Sequence, residues 1–153
     1  VTSDGPTPPE GRISTGYGNI GWFQRVPVEP CNLYTLSGQW SGNSMNGWAE
    51  VIMFTCTDDW TDEQIINRLD TGAGGGPEDI VARNNGAEWG WQSIELTMVN
   101  PLTIHATCPE IVVAMKVGST TGNTWAAHDN LVLVPEPASA LLFVLPLMWI
   151  RRR

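Results

Sequence analysis

The sequence predicts an all-β domain, a sandwich or barrel with one short helix, followed by a single apolar C-terminal helix. Three observations carry this. Short runs with alternating polarity recur between residues 20 and 134, separated by Gly, Asn and Pro. The 153 residues include Gly 16 and Pro 11, which disfavours long uninterrupted helices. Near the end, Ala138–Ile150 runs without a charge before three arginines.

The strands read in order as follows. Gly21–Val28 alternates, and so does Leu33–Trp40, with Leu33, Thr35 and Ser37 facing away from Tyr34 and Leu36. Ala49–Thr55 is apolar throughout, as a core strand is. The helix comes next. Thr61 and Gln64 fit a capping box, and Ile65, Ile66 and Leu69 follow at helical spacing until Asp70-Thr71-Gly72 stops them. That apolar stripe is expected to cover the sandwich edge. Gly72–Pro77 is a loop on composition. Trp91–Val99 sets Ile94, Leu96 and Met98 against Ser93, Glu95 and Thr97. Glu110–Val117 and Ala127–Val134 complete the set. Residues 1–19 hold the Pro- and Gly-rich stretch Asp4–Arg12 and read as an extended lead-in. Three regions follow: a lead-in of residues 1–19, a sandwich of 20–134 and a tail of 135–153.

Charge narrows the function. The chain has 16 acidic and 8 basic residues, a net charge of −8. Every acidic residue precedes Pro137, whereas Arg151, Arg152 and Arg153 hold three of the basic ones. A body this acidic cannot displace the counterions of a duplex, so nucleic acid is excluded as its partner.

The tail has four ordered elements: Pro135-Glu136-Pro137, Ala138-Ser139-Ala140, the apolar run, and Arg151–Arg153. As a helix its 13 uncharged residues span ~20 Å against a hydrocarbon core of ~30 Å, extended by snorkelling arginines. The order resembles the PEP-CTERM sorting signal of exported bacterial proteins. That resemblance implies export, transient anchoring in the inner membrane, and cleavage near Pro135, Glu136 and Pro137 by an exosortase. The body would then reach the cell surface or the exopolysaccharide matrix. The chain starts with Val, so a removed signal peptide or missing upstream sequence is also expected.

The body is similar to galactose-binding-like jelly rolls, the sandwich of many carbohydrate-binding modules. The residues concerned are Gln24–Val28, Pro30 and Tyr34–Ser37, then His128–Leu133 at the end. The resemblance implies a non-catalytic jelly-roll body. The strand that opens that fold is not evident, which predicts an unpaired sheet edge. The resemblance also points to Asp129 as a ligand of a structural calcium ion. In jelly-roll strand order Cys56 and Cys108 fall close enough for a disulfide, favoured over Cys31–Cys108.

Eight tryptophans need explaining. Indole faces stack on the C–H faces of sugars, and they also fill cores. Trp22 and Trp40 lie in strong strands and read as core. Trp48 and Trp125 lie in turn-rich segments. Trp89 and Trp91, two apart, fall on one side of a strand and form a platform on simple alternation. Trp48, Trp89, Trp91 and Trp125 are therefore the candidate contacts for a polysaccharide, with core packing as the alternative.

Catalytic readings fare worse. Asp70-Thr71-Gly72-Ala73 matches an aspartic-protease tetrapeptide but follows a helix, not a buried strand. Asp58-Asp59, Asp62-Glu63 and Glu78-Asp79 are adjacent acids of the kind that line solvated loops. His105 and His128 lack neighbours at zinc-ligand spacing.

Overall fold

A computed structural model describes residues 11–71, 80–94 and 102–136. The elements run β1 (Gly11–Thr15), β2 (Gly18–Pro27), β3 (Leu33–Asn43), β4 (Gly47–Cys56), α1 (Asp62–Thr71), β5 (Ile80–Asn85), β6 (Glu88–Ser93), β7 (Thr103–His105), β8 (Glu110–Ser119) and β9 (Thr124–Pro135). They form two antiparallel sheets. One has the order β1-β9-β3-β6, with β7 pairing the start of β3; the other has the order β2-β8-β4-β5. The arrangement is a β-sandwich with one short helix.

The apolar alternation explains why the sheets pack. Leu36 and Trp40 of β3 and Ala126 of β9 meet Val51 and Met53 of β4 and Ile111, Val113, Met115 and Val117 of β8 in one cluster. Trp22 packs against this cluster from β2. Of the two tryptophans read as core, Trp40 is completely buried and Trp22 is partly buried against the core.

The capping box forms. The Thr61 N–H donates to Gln64 Oε1 at 2.7 Å, and the Gln64 N–H to Thr61 Oγ1 at 3.3 Å. Helix α1 then lays Ile65 and Leu69 on Ile52, Phe54, Val112 and Ala114. These residues belong to the outer face of the four-stranded sheet, so the helix covers a face and not the edge. Ile66 points away and is half-exposed.

The N-terminal edge also differs from expectation. Residues 11–19 belong to the sandwich. β1 pairs β9 from Gly11↔His128 to Thr15↔Thr124, and β2 already begins at Gly18. The edge of β9 is thus paired by a short strand whose single apolar residue, Ile13, touches the core.

All three cysteines are free thiols in the structure, and the expected Cys56–Cys108 disulfide is not formed in it. Cys56 pairs in register with Glu110, and its Sγ lies 3.8 Å from the Glu110 carboxylate, not bonded to Cys108. Cys108 approaches Thr107 Oγ1 instead. Burial, reinforced by the Glu110 charge, pushes the Cys56 thiol up to about 11, partly opposed by Arg25. Alkylation at pH 8 followed by peptide mapping is expected to label exposed Cys31 first and Cys56 last, with Cys56 reacting only on unfolding.

Of the tail, Pro135 and Glu136 are described. They end β9: Pro135 pairs with Tyr34, the Glu136 N–H donates to the Leu33 carbonyl at 2.7 Å, and Thr35 Oγ1 donates to the Glu136 carboxylate. Pro137, the apolar run and Arg151–Arg153 lie outside the described residues. No helix among the described residues is long and apolar enough to cross a membrane.

Candidate functional site

The outer face of the five-stranded sheet carries the site, and a β-bulge creates it. Trp40 pairs with Gln92 and Gly42 with Trp89, so Ser41 faces both Gly90 and Trp91. One extra residue in β6 breaks the period-2 alternation. Trp89 therefore turns inward. Its ring meets Trp40 at 4.9 Å between centroids, and its Nε1 is buried. Trp91 turns outward. The expected Trp89–Trp91 platform does not form, because the bulge places the two indoles on opposite faces.

Gly42 makes the inward packing of Trp89 feasible. A Cβ there would fall 2.7 Å from the Trp89 ring and 2.6 Å from the Trp125 carbonyl.

Trp125 joins Trp91 from β9. Ala126 is core, so its neighbours Trp125 and Ala127 face outward. Between the two indoles lie small residues: Ser41, Gly90 and Ala127. Ser41 and Ala127 are nearly inaccessible at 5% and 2% exposure, which marks them as floor. The result is a groove of about 330 Å³, lined by Arg12, Ser41, Glu88, Trp89, Gly90, Trp91, Trp125 and Ala127. Arg12 comes from β1, where it pairs in register with Ala127. Its guanidinium carbon sits 4.1 Å over the Trp125 ring. In sequence Arg12 ends a Pro- and Gly-rich stretch, which gives it no signal of this role.

Trp48 is elsewhere. It pairs with Gly118 on the four-stranded sheet, and its ring lies where a side chain on residue 118 would be. It lines a separate depression with Glu50, Arg83 and Asn85. Of the four tryptophan candidates, Trp91 and Trp125 share the groove with their indoles outward, Trp89 contributes to its wall from the core, and Trp48 is not part of it.

A cavity of about 490 Å³ lies between α1 and β2, with Ile20, Phe23, Ile66 and Leu69 among its lining. Its one cation, Lys116, donates to the Leu69 carbonyl at 2.6 Å and stands 4.0 Å from Asp70. Both groups are used in holding the helix to the sheet, and Asn19 is the other polar side chain of an otherwise largely apolar lining.

Asp129 follows His128 in β9 and pairs in register with Gln39. It is buried, and its Oδ1 accepts the Asn130 N–H at 2.8 Å. Asn130 takes φ 53, in the left-handed region that asparagine tolerates. Among the described residues no three His, Cys, Asp or Glu side chains gather as a metal site.

His128 backs the groove from inside. It pairs with Trp40 across β3, its ring 6.2 Å away, and both ring nitrogens are buried without hydrogen-bond partners. Burial pushes its pKa down to about 3, well under the usual histidine range. The imidazole is neutral in the folded state. The unfolded chain takes up a proton as pH falls below about 6.5, and the folded chain does so only near 3, so stability is present above 6.5 and declines from there downward. Between pH 6.5 and 5 the loss is about 2 kcal/mol. Urea midpoints measured across pH 7 to 5 are expected to fall in the wild type, and the fall is expected to be shallower in His128→Phe.

No protein-family model and no curated protein matches the chain. Among solved structures it is similar to TmCBM61 in complex with β-1,4-galactotriose, with TM-score 0.45 and 12% identity over 82% of this chain and 70% of that one. It is also similar to a chain solved under the description CBM4 structure and function, with TM-score 0.40 and 14% identity over 76% of this chain and 61% of that one.

Proposed function

We propose that this chain is a non-catalytic carbohydrate-binding module with a jelly-roll body, and that it binds a polysaccharide in the groove between Trp91 and Trp125. The observation that carries the reading is the pairing of two outward indoles with a floor of Ser41, Gly90 and Ala127. Small floor residues let a flat ring descend between the indoles, whose faces meet its C–H bonds. Glu88 at one end accepts hydroxyl hydrogens, and Arg12 at the other donates. The order β1-β9-β3-β6 sets these ends three strand spacings apart, about 14 Å, which suits a linear oligosaccharide laid across the strands. A saccharide of the kind bound in the TmCBM61 structure, a β-1,4-linked galactan, is one natural first probe.

Affinity electrophoresis on a panel of soluble polysaccharides tests the reading. Retardation by at least one polymer, abolished in Trp91→Ala with Trp125→Ala, is the expected result. Retardation that survives the double substitution contradicts it.

Export and C-terminal sorting are proposed on the sequence motif alone. Fractionation of cells that carry an exosortase is expected to show the body outside the inner membrane, shortened near Pro135–Pro137. A chain of unchanged length in the cytoplasm would oppose this.

A further inference from the structure

Resting on the groove as the saccharide site, we propose that it selects a glycan with carboxylate groups, of the hexuronate class, and that Arg12 is the residue that selects it. The argument begins with the cations of the body. Arg25 is held by Glu110 at 2.7 Å, with Asp62 at 3.9 Å. Arg83 is held by Glu50 at 2.8 Å. Lys116 is occupied by Leu69 and Asp70. Arg68 lies over Phe54, remote from the groove, on α1. In a chain with 16 acidic residues, free carboxylates outnumber cations, and pairing is the rule.

Arg12 breaks that rule at the site. Its side chain is exposed, lines the groove, and meets the Trp125 ring. Among the described residues no carboxylate lies within ion-pair distance of it. The one acid in the groove, Glu88, lies on β6, at the other end of the strand order from β1. A guanidinium resting on an indole uses its π face. Among the described residues its N–H donors make no hydrogen bond or ion pair, so they are available to a ligand. That fork matches a carboxylate bidentately, and partial exclusion of water by Trp125 strengthens the pair. A sugar hydroxyl accepts a single bond from such a fork and does not match its charge. The carboxylate on C5 of a hexuronate projects from the ring edge, so one residue of the polymer stacks in the groove while its charge meets Arg12. The negative charge of the body disfavours adsorption of a polyanion elsewhere on its surface, and the remaining cationic cluster, Arg151–Arg153 of the tail, is unchanged in Arg12→Gln, so the variant isolates recognition in the groove.

The test compares polygalacturonate with its fully methyl-esterified form, at one ionic strength, by affinity electrophoresis and calorimetric titration of the full chain. The two polymers share a backbone and differ in charge. Wild-type protein is expected to bind the acid form at least tenfold more tightly. Arg12→Gln is expected to lower affinity for the acid at least tenfold more than for the ester, and Arg12→Lys to fall between, since it keeps charge without the planar fork. Circular dichroism confirms that each variant is folded. Acid and ester affinities within twofold of each other, no affinity for the acid, or an acid preference that survives Arg12→Gln would each overturn the assignment. Trp91→Ala separates the two ideas. Equal binding of both polymers that is lost in Trp91→Ala overturns the uronate assignment and leaves the groove as the site. Binding of both that persists in Trp91→Ala means the groove itself is not the site.

Discussion

Trp40→Ala is expected to destabilise the protein by about 3–5 kcal/mol, the cost of removing a large aromatic side chain from a packed core. Trp40 is completely buried, contacts Trp89 at 4.9 Å and His128 at 6.2 Å, and stands in the middle strand between β9 and β6. No neighbour can close the void cheaply, because each flanking ring is held in its own strand register. Small domains have total stabilities of roughly 5–15 kcal/mol, so the loss is a large share. A fall in melting temperature of about 10 °C or more is expected by calorimetry. A change under about 1 kcal/mol in urea unfolding would mean that Trp40 is not the keystone of this core.

The second large effect concerns binding. Trp91→Ala is expected to weaken saccharide affinity by about 2 kcal/mol or more, some thirtyfold, as truncation of a central aromatic contact does. Trp91 lies on the outer face opposite Ser41 and, among the described residues, contributes to no buried core cluster. Its melting temperature should therefore stay near wild type. Trp89→Ala is expected to behave oppositely, since the Trp89 indole is tied to Trp40. It should lower stability first and reduce binding only through the distorted bulge. Measuring thermal midpoints and titrations on both variants distinguishes them. Equal effects of the two on stability would mean that the bulge does not separate them.

That contrast also shows what the sequence made legible. The alternation in Leu33–Trp40 and the apolar runs in Ala49–Thr55 and Glu110–Val117 are the central strands of the two sheets. They were readable because burial on one or both faces forces a simple pattern. Helix α1 was readable from Thr61 and Gln64, since a capping box is local chemistry. Three features escaped. β1 holds one apolar residue among Gly11, Arg12, Ser14 and Thr15, and an edge strand that buries so little leaves almost no periodic signal. β5 is short and follows a glycine-rich stretch of sequence, and it too carries little periodic signal.

The bulge in β6 escaped because alternation counts residues and a bulge adds one. Gly90, between the two tryptophans, was the available sign, as a glycine inside a strand often marks such a site. Simple alternation carries no bulge and so puts Trp89 and Trp91 on one face. The grouping of Trp91 with Trp125 depends on strand order, which alternation does not encode. Arg12, which completes the groove, was hidden in a segment that composition alone assigned to solvent. Which residue faces Cys56 across the sheet depends on strand register, which local sequence does not carry. That residue is Glu110.

The groove can be examined without any substitution. Each tryptophan in the body contributes one indole N–H resonance, and these can be followed while the full chain is titrated with a panel of neutral and uronate oligosaccharides. The account predicts that an oligosaccharide which binds shifts Trp91 and Trp125, whose rings flank the groove, and leaves Trp22 and Trp48 unmoved. Shifts centred on Trp48, or binding with Trp91 and Trp125 unperturbed, would contradict it.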